Sequence, residues 1–173
     1  ANASDRDYEA FHGVSFVALN ALVMKRYMHE FNVKREELSI FPVISHKNAP
    51  FSKHAMYRKE ISLEAVINSP IIADPLTLMD CAPICDGAAS VILCSEKKAR
   101  EFTDIPILVS GVGIATDTLG VHDRKHITTL SAAVEASKKA YKMAEVTPKD
   151  IDIAEIHDAF SLMSALSLED MGF

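Results

Sequence analysis

Ile151-Asp152-Ile153-Ala154-Glu155-Ile156-His157-Asp158-Ala159-Phe160 is the stretch that decides the fold. Isoleucine alternates with shorter or charged residues from Ile151 to Ile156, the period-two signature of a strand. Ser161 to Met171 then returns to helical texture. An imidazole and a carboxylate, His157 and Asp158, thus fall at the carboxyl end of a predicted strand, where open α/β sheets collect their reactive groups.

Working outward, Thr129 to Glu145 carries Leu130, Ala133, Val134, Ser137, Ala140, Tyr141 and Ala144 on one helical face, and Thr147-Pro148 breaks it. Ala88 to Cys94 and Ile105 to Val112 are short, nearly continuous apolar runs, as in strands buried on both faces, with a short helix predicted over Glu96 to Phe102. Strand, helix, strand in this order implies a parallel sheet with crossover helices, hence an α/β class. The first half reads differently. Val17, Ala21, Met24, Met28 and Phe31 form the stripe of a helix over Ser15 to Phe31. Pro42 either kinks a helix over Ile40 to His46 or marks an irregular stretch. Asn48 to Arg58 reads as a long polar loop, and Ser62 caps a short helix through Asn68 that Pro70 ends.

Composition bounds the function. With 49% hydrophobic and 24% charged residues among 173 and a net charge of -6, the chain has the makings of a globular core and lacks the basic patch of a nucleic-acid binder. There is no apolar run of membrane-spanning length and nothing that resembles a signal peptide, and three cysteines, which cannot all pair with one another, suit a reducing cytoplasm. Cys81 and Cys85 are spaced i, i+4 across Pro83 with no second pair, so no metal site is expected. Cys85 beside Asp86 reads as a structural thiol, because neighbouring negative charge opposes thiolate formation. His122 and His126 lack the glutamate of a zincin pattern and read as solvated surface, while Gly111-Val112-Gly113 is only half a dinucleotide fingerprint.

Several stretches together resemble one family. Ile72-Ala73-Asp74-Pro75-Leu76-Thr77-Leu78-Met79-Asp80-Cys81-Ala82-Pro83-Ile84-Cys85-Asp86-Gly87-Ala88-Ala89-Ser90 is similar to the segment leading into the last strand of the first half of thiolases. Ala154 to Phe160 is similar to their Asn-Glu-Ala-Phe motif, in the His-Asp-Ala-Phe form of the archaeal and sterol-carrier-protein-linked branch. His46 to Ala49, Met56 to Ile61 and Leu119-Gly120-Val121-His122-Asp123-Arg124 follow in the expected order.

The resemblance implies part of a thiolase fold. Residues 1–80 would be a helix-rich loop-domain segment, 81–102 the last strand and helix of the amino-terminal half, and 103–173 the opening of the carboxyl-terminal half. It implies acyl transfer between coenzyme A thioesters, with the thioester as substrate and no separate cofactor. On that pattern His157 belongs to an oxyanion hole and Asp158 supports the loop, while His46, His54, Tyr57 and Arg58 are candidates for holding coenzyme A. The family's nucleophilic cysteine would lie upstream of these residues and its Gly-His-Pro base downstream, so the chain is expected to be an inactive piece of a longer acetyltransferase. The alternative is a thiolase-like acyl-CoA-binding scaffold. Implied partners are further copies of the chain and a small zinc-ribbon and OB-fold protein. Truncated sheet edges would favour self-association.

Overall fold

A computed structural model describes residues 4–173. Helix α1 spans Phe16–Phe31; Ser15 caps it by accepting from the Ala18 N–H at 3.1 Å, and Asn32 closes it with a left-handed φ of 53°. Such a cap is worth about 1 kcal/mol. Helix α2 (Arg35–Leu38) gives way at Ser39 to α3 (Ile40–Asn48). Pro42 therefore sits in the first turn of α3, where its missing N–H has no partner to lose, and the helix runs on through it to Asn48. The polar stretch that follows is a loop holding one 3-10 turn, Ala49–Phe51. Ser62 caps α4 (Leu63–Ile67) through the Ala65 N–H.

Two short strands that the sequence pattern did not signal come next. β1 (Ile71–Ala73) pairs antiparallel with β2 (Leu76–Thr77), and a 3-10 turn over Leu78–Asp80 follows. Helix α5 is only Glu96–Ala99, shorter than the Glu96 to Phe102 expected from sequence; α6 spans Ser131–Ala144 and α7 spans Ser161–Met171, closed by Gly172 at a φ of 94°.

The chain is mixed helix and sheet, but the predicted parallel sheet is absent among the described residues. Ala88 to Cys94, Ile105 to Val112 and Ile151 to Ile156 pair with no neighbouring strand. Apolar texture makes a segment suitable for a sheet, yet a strand exists only where another backbone meets its N–H and C=O groups. These side chains stay in solvent instead: Ile92 is 95% exposed and Ile107 is 92% exposed. The second run does lie against α6. A Cβ on Gly111 would overlap the Ala140 carbonyl and one on Gly113 the Ala136 carbonyl, so both glycines permit backbone to touch helix. That explains the paired glycines without a nucleotide.

The core forms where the first half wraps α7. Met24 and Tyr27 of α1, Leu38 of α2, Leu76 of β2, and Leu162 and Leu166 of α7 interlock. Burying each of the aliphatic ones stabilises the fold by about 1.5–3 kcal/mol. Tyr27 Oη donates to Glu169 at 2.5 Å, and burial together with that carboxylate pushes the phenol far above its ordinary value. Arg35 and Asp80 anchor the β1–β2 hairpin beneath this core.

Candidate functional site

The His157–Phe160 corner is held from below. Phe160 forms an isolated antiparallel bridge with Cys81, and the Ala82 N–H donates to the Ala159 carbonyl at 2.9 Å. Phe160 is extended (φ -144°, ψ 153°), is 5% exposed, and sets its ring 5.7 Å from that of Phe16 on α1. Extended backbone sends successive side chains to opposite faces. His157 and Asp158, although adjacent, line two different clefts.

His157 lines a cleft of about 110 Å³ between α1 and the corner. Phe16, Leu19, Val23, Phe160 and Met163 give it apolar walls, and Asn20, Arg124 and His157 supply the polar groups. Asn20 is fixed by donating from Nδ2 to the Phe16 carbonyl at 2.9 Å. Among the described residues, the His157 ring makes no hydrogen bond, and the Arg124 side chain makes neither a hydrogen bond nor an ion pair. An imidazole N–H in such a place is available to a ligand oxygen. Sequence reasoning missed Asn20 and Arg124 as site residues, although Arg124 stands inside one of the matched stretches.

Asp158 turns to a second cleft, of about 200 Å³, lined by Pro42, Ser45 and His46 of α3, by Asp80 to Pro83, and by Ser161 and Ser164 of α7. Ser45 Oγ donates to Asp158 at 3.0 Å, tying the corner to α3. His46 shares this cleft; its Nδ1 lies 2.8 Å from the Lys59 carbonyl and its ring stacks on Tyr57 at 6.4 Å. Arg58 and Lys59 line a shallow depression with Pro50. Three of the six sequence candidates thus group, Asp158 with His46 in one cleft and Tyr57 stacked on His46, while Arg58 lines the separate depression. His54 is exposed and lines neither cleft.

Cys81 also faces the second cleft. Its thiol donates to the Thr77 carbonyl at 3.3 Å, and burial, aided by the Asp80 carboxylate, pushes it above the usual thiol range. Such a thiol is a poor nucleophile. It does not face His157.

His122 and His126 are exposed, as the sequence reading has them, but His122 also makes contacts that sequence did not signal: Nδ1 lies 3.4 Å from Oε1 of buried Glu9, Nε2 lies 3.5 Å from Asp123, and the ring sits 5.1 Å from that of Tyr8. Glu9 also accepts from the Val121 N–H at 2.6 Å and the Asp5 N–H at 2.8 Å. Burial pushes the Glu9 carboxyl up, but these donors outweigh it and hold the group below its ordinary value. The contact staples the amino-terminal turn to the loop that delivers Val121 and Arg124 to the His157 cleft. A lone glutamate gives no such signal in sequence.

Residues 113–173 match the family described as Thiolase C-terminal domain-like. The chain is 46% identical over 173 residues to an acetyl-CoA acetyltransferase of Methanothermobacter thermautotrophicus, which aligns with 100% of this chain and 45% of that protein. It is 43% identical over 175 residues to an acetyl-CoA acetyltransferase of Methanocaldococcus jannaschii, with the same two coverages of 100% and 45%. In three dimensions it superposes on a chain of the Ltp2-ChsH2(DUF35) aldolase with a TM-score of 0.79 at 25% identity, over 95% of this chain and 45% of that one. The chain thus spans about 45% of the length of these relatives. With its carboxyl-terminal third matching the family and its whole length aligned to archaeal relatives, the chain belongs to the thiolase superfamily.

Proposed function

We propose that these residues form part of an acetyl-CoA acetyltransferase of the thiolase type, in which His157 donates a hydrogen bond to the thioester carbonyl oxygen as negative charge develops on it. The observation that carries this reading is the exposed His157 ring, unpartnered among the described residues, at the edge of a mostly apolar cleft. An imidazole N–H placed there donates to an enolate or tetrahedral oxyanion as its charge develops, the exposed ring lying against apolar walls. Asp158 and the Ala82–Ala159 bond act by holding the corner, since the Asp158 carboxylate points away from the ring.

His46, Tyr57 and Arg58 are proposed to contact the pantetheine and phosphate parts of coenzyme A; Arg is suited to phosphate by its fixed fork of donors. A DUF35-type partner is proposed on the strength of the aldolase neighbour, and further copies of the chain on the thiolase resemblance alone. No described helix is long and apolar enough to cross a membrane. A cytoplasmic location is proposed from the free cysteines.

The test is thiolysis of acetoacetyl-CoA by the longest natural polypeptide that contains these residues. His157→Ala is expected to lower kcat about 10²–10³-fold, the usual cost of one oxyanion donor, with KM changed only a few-fold. A variant retaining kcat within threefold ends the proposal. The 173-residue chain by itself is expected to show no turnover, because its half-buried Cys81 faces away from His157.

A further inference from the structure

The two clefts flanking the corner differ in charge. The second contains the carboxylates of Asp80 and Asp158. The His157 cleft contains no carboxylate at all, in a protein whose net charge is -6, and its one permanent cation is Arg124. Arg124 is a partly exposed residue, and among the described residues its guanidinium has no anionic partner and no side-chain hydrogen bond. Partly desolvated guanidinium groups are ordinarily paired, since the cost of leaving water is otherwise uncompensated. Arg also presents two parallel N–H groups that match a carboxylate.

Size decides which anion. About 110 Å³ is well below the roughly 300 Å³ at the lower end of pockets that enclose drug-sized ligands. That volume holds a short acyl chain but not a whole nucleotide. The apolar side chains of Phe16, Leu19 and Met163 suit methylene groups between a carbonyl at His157 and a terminal anion at Arg124.

We propose that Arg124 is a specificity-determining residue that pairs with a carboxylate at the far end of a short acyl group, so that the His157 cleft takes ω-carboxyacyl thioesters in preference to plain acyl thioesters of equal length. This rests on the reading of the cleft as the thioester site.

The probes are S-succinyl- and S-butyryl-N-acetylcysteamine, which have the same chain length, differ by a carboxylate, and lack every phosphate of coenzyme A. Calorimetric titration of the 173-residue chain is expected to show the succinyl probe binding about tenfold or more tightly, as a charge-assisted pair implies. Arg124→Met is expected to abolish the difference while leaving the butyryl affinity unchanged, and Arg124→Lys to restore part of it. Equal binding of both probes, or a preference that survives in Arg124→Met, overturns the role of Arg124 while leaving the thioester reading in place. Binding of neither probe overturns both. If Arg124→Met weakens free coenzyme A while the succinyl preference persists, the guanidinium serves a phosphate and the proposal fails.

Discussion

Asp80→Ala probes the polar anchor beneath the site. The Asp80 side chain is fully buried and accepts from the Thr77 N–H at 3.0 Å and Thr77 Oγ1 at 2.8 Å, with Arg35 Nη2 at 3.5 Å. Arg35 in turn donates to the carbonyls of Ile67 and Val66 at 3.0 and 3.3 Å, and to Thr77 Oγ1 at 2.9 Å. Removing the carboxylate orphans a buried N–H, worth about 1–3 kcal/mol, and leaves a mostly buried guanidinium without its counter-charge. Together these cost about 3–5 kcal/mol, the usual penalty for breaking such a pair from one side. Oδ1 of Asp80 has no partner, which draws the figure toward about 3 kcal/mol. At an m-value of about 2 kcal/mol per molar urea, the midpoint followed by far-UV circular dichroism should fall by about 1.5–2.5 M. The double variant Arg35→Met/Asp80→Ala should lose less than the two single losses added, because the stranded charge is gone. A fall below about 0.5 M, or strict additivity, refutes the network as described.

Three further outcomes follow from other contacts. Iodoacetamide should alkylate Cys81 several-fold more slowly than exposed Cys85 and Cys94, as read by peptide mass spectrometry, since burial and Asp80 both hold the Cys81 thiol protonated; equal rates contradict this. Glu9 has a folded value below its ordinary 4.5, so its contribution to stability is present above that pH and is lost as pH falls through the folded value. Glu9→Gln should therefore be less stable than wild type near pH 7, with the gap closing toward pH 3, and a gap constant with pH excludes the linkage. Gly113→Ala forces a methyl onto the Ala136 carbonyl and should cost about 1–3 kcal/mol, lowering Tm by several degrees. Gly87→Ala, which meets nothing within 4 Å, is the control, and equal losses in the two variants are the refuting result.

What sequence could show divides by the range of the interaction. The helices α1, α4, α6 and α7 were legible because apolar spacing and capping residues are local signals; Ser62 caps α4 as expected, and Ser15 proves to cap α1. The three apolar runs were legible as sheet material but not as sheet, since pairing depends on a second backbone. Ile153 alternates with polar neighbours as a strand residue does, yet it is 82% exposed. The hairpin at Ile71–Thr77 was hidden because two or three residues carry no period. At the site, His157 and Asp158 were found through a matched stretch; Asn20, Glu9 and Arg124 were not, because their roles arise from contacts up to 113 residues apart.

The same distinction explains how one corner serves two clefts. Asp158 bonds to Ser45 and lines a different cleft from His157, so it does not orient the imidazole ring directly. Its hydrogen bond to Ser45 instead pins the corner to α3, while the Cys81–Phe160 bridge pins it to the segment after Asp80. Asp80 is fixed by Arg35 and Thr77, and Phe160 packs against Phe16 of α1. The position of His157 is therefore a consequence of the buried network and of α1 packing, both built mainly from the first half of the chain. A weakened Asp80 network should displace the imidazole even though no atom of it touches the ring. The unpaired strand material lies on the other side of this dependence: Val91 and Ile92 contribute nothing to the corner, being 83% and 95% exposed. The corner's geometry is thus set by the helices and the hairpin, independently of the sheet that the sequence texture anticipates.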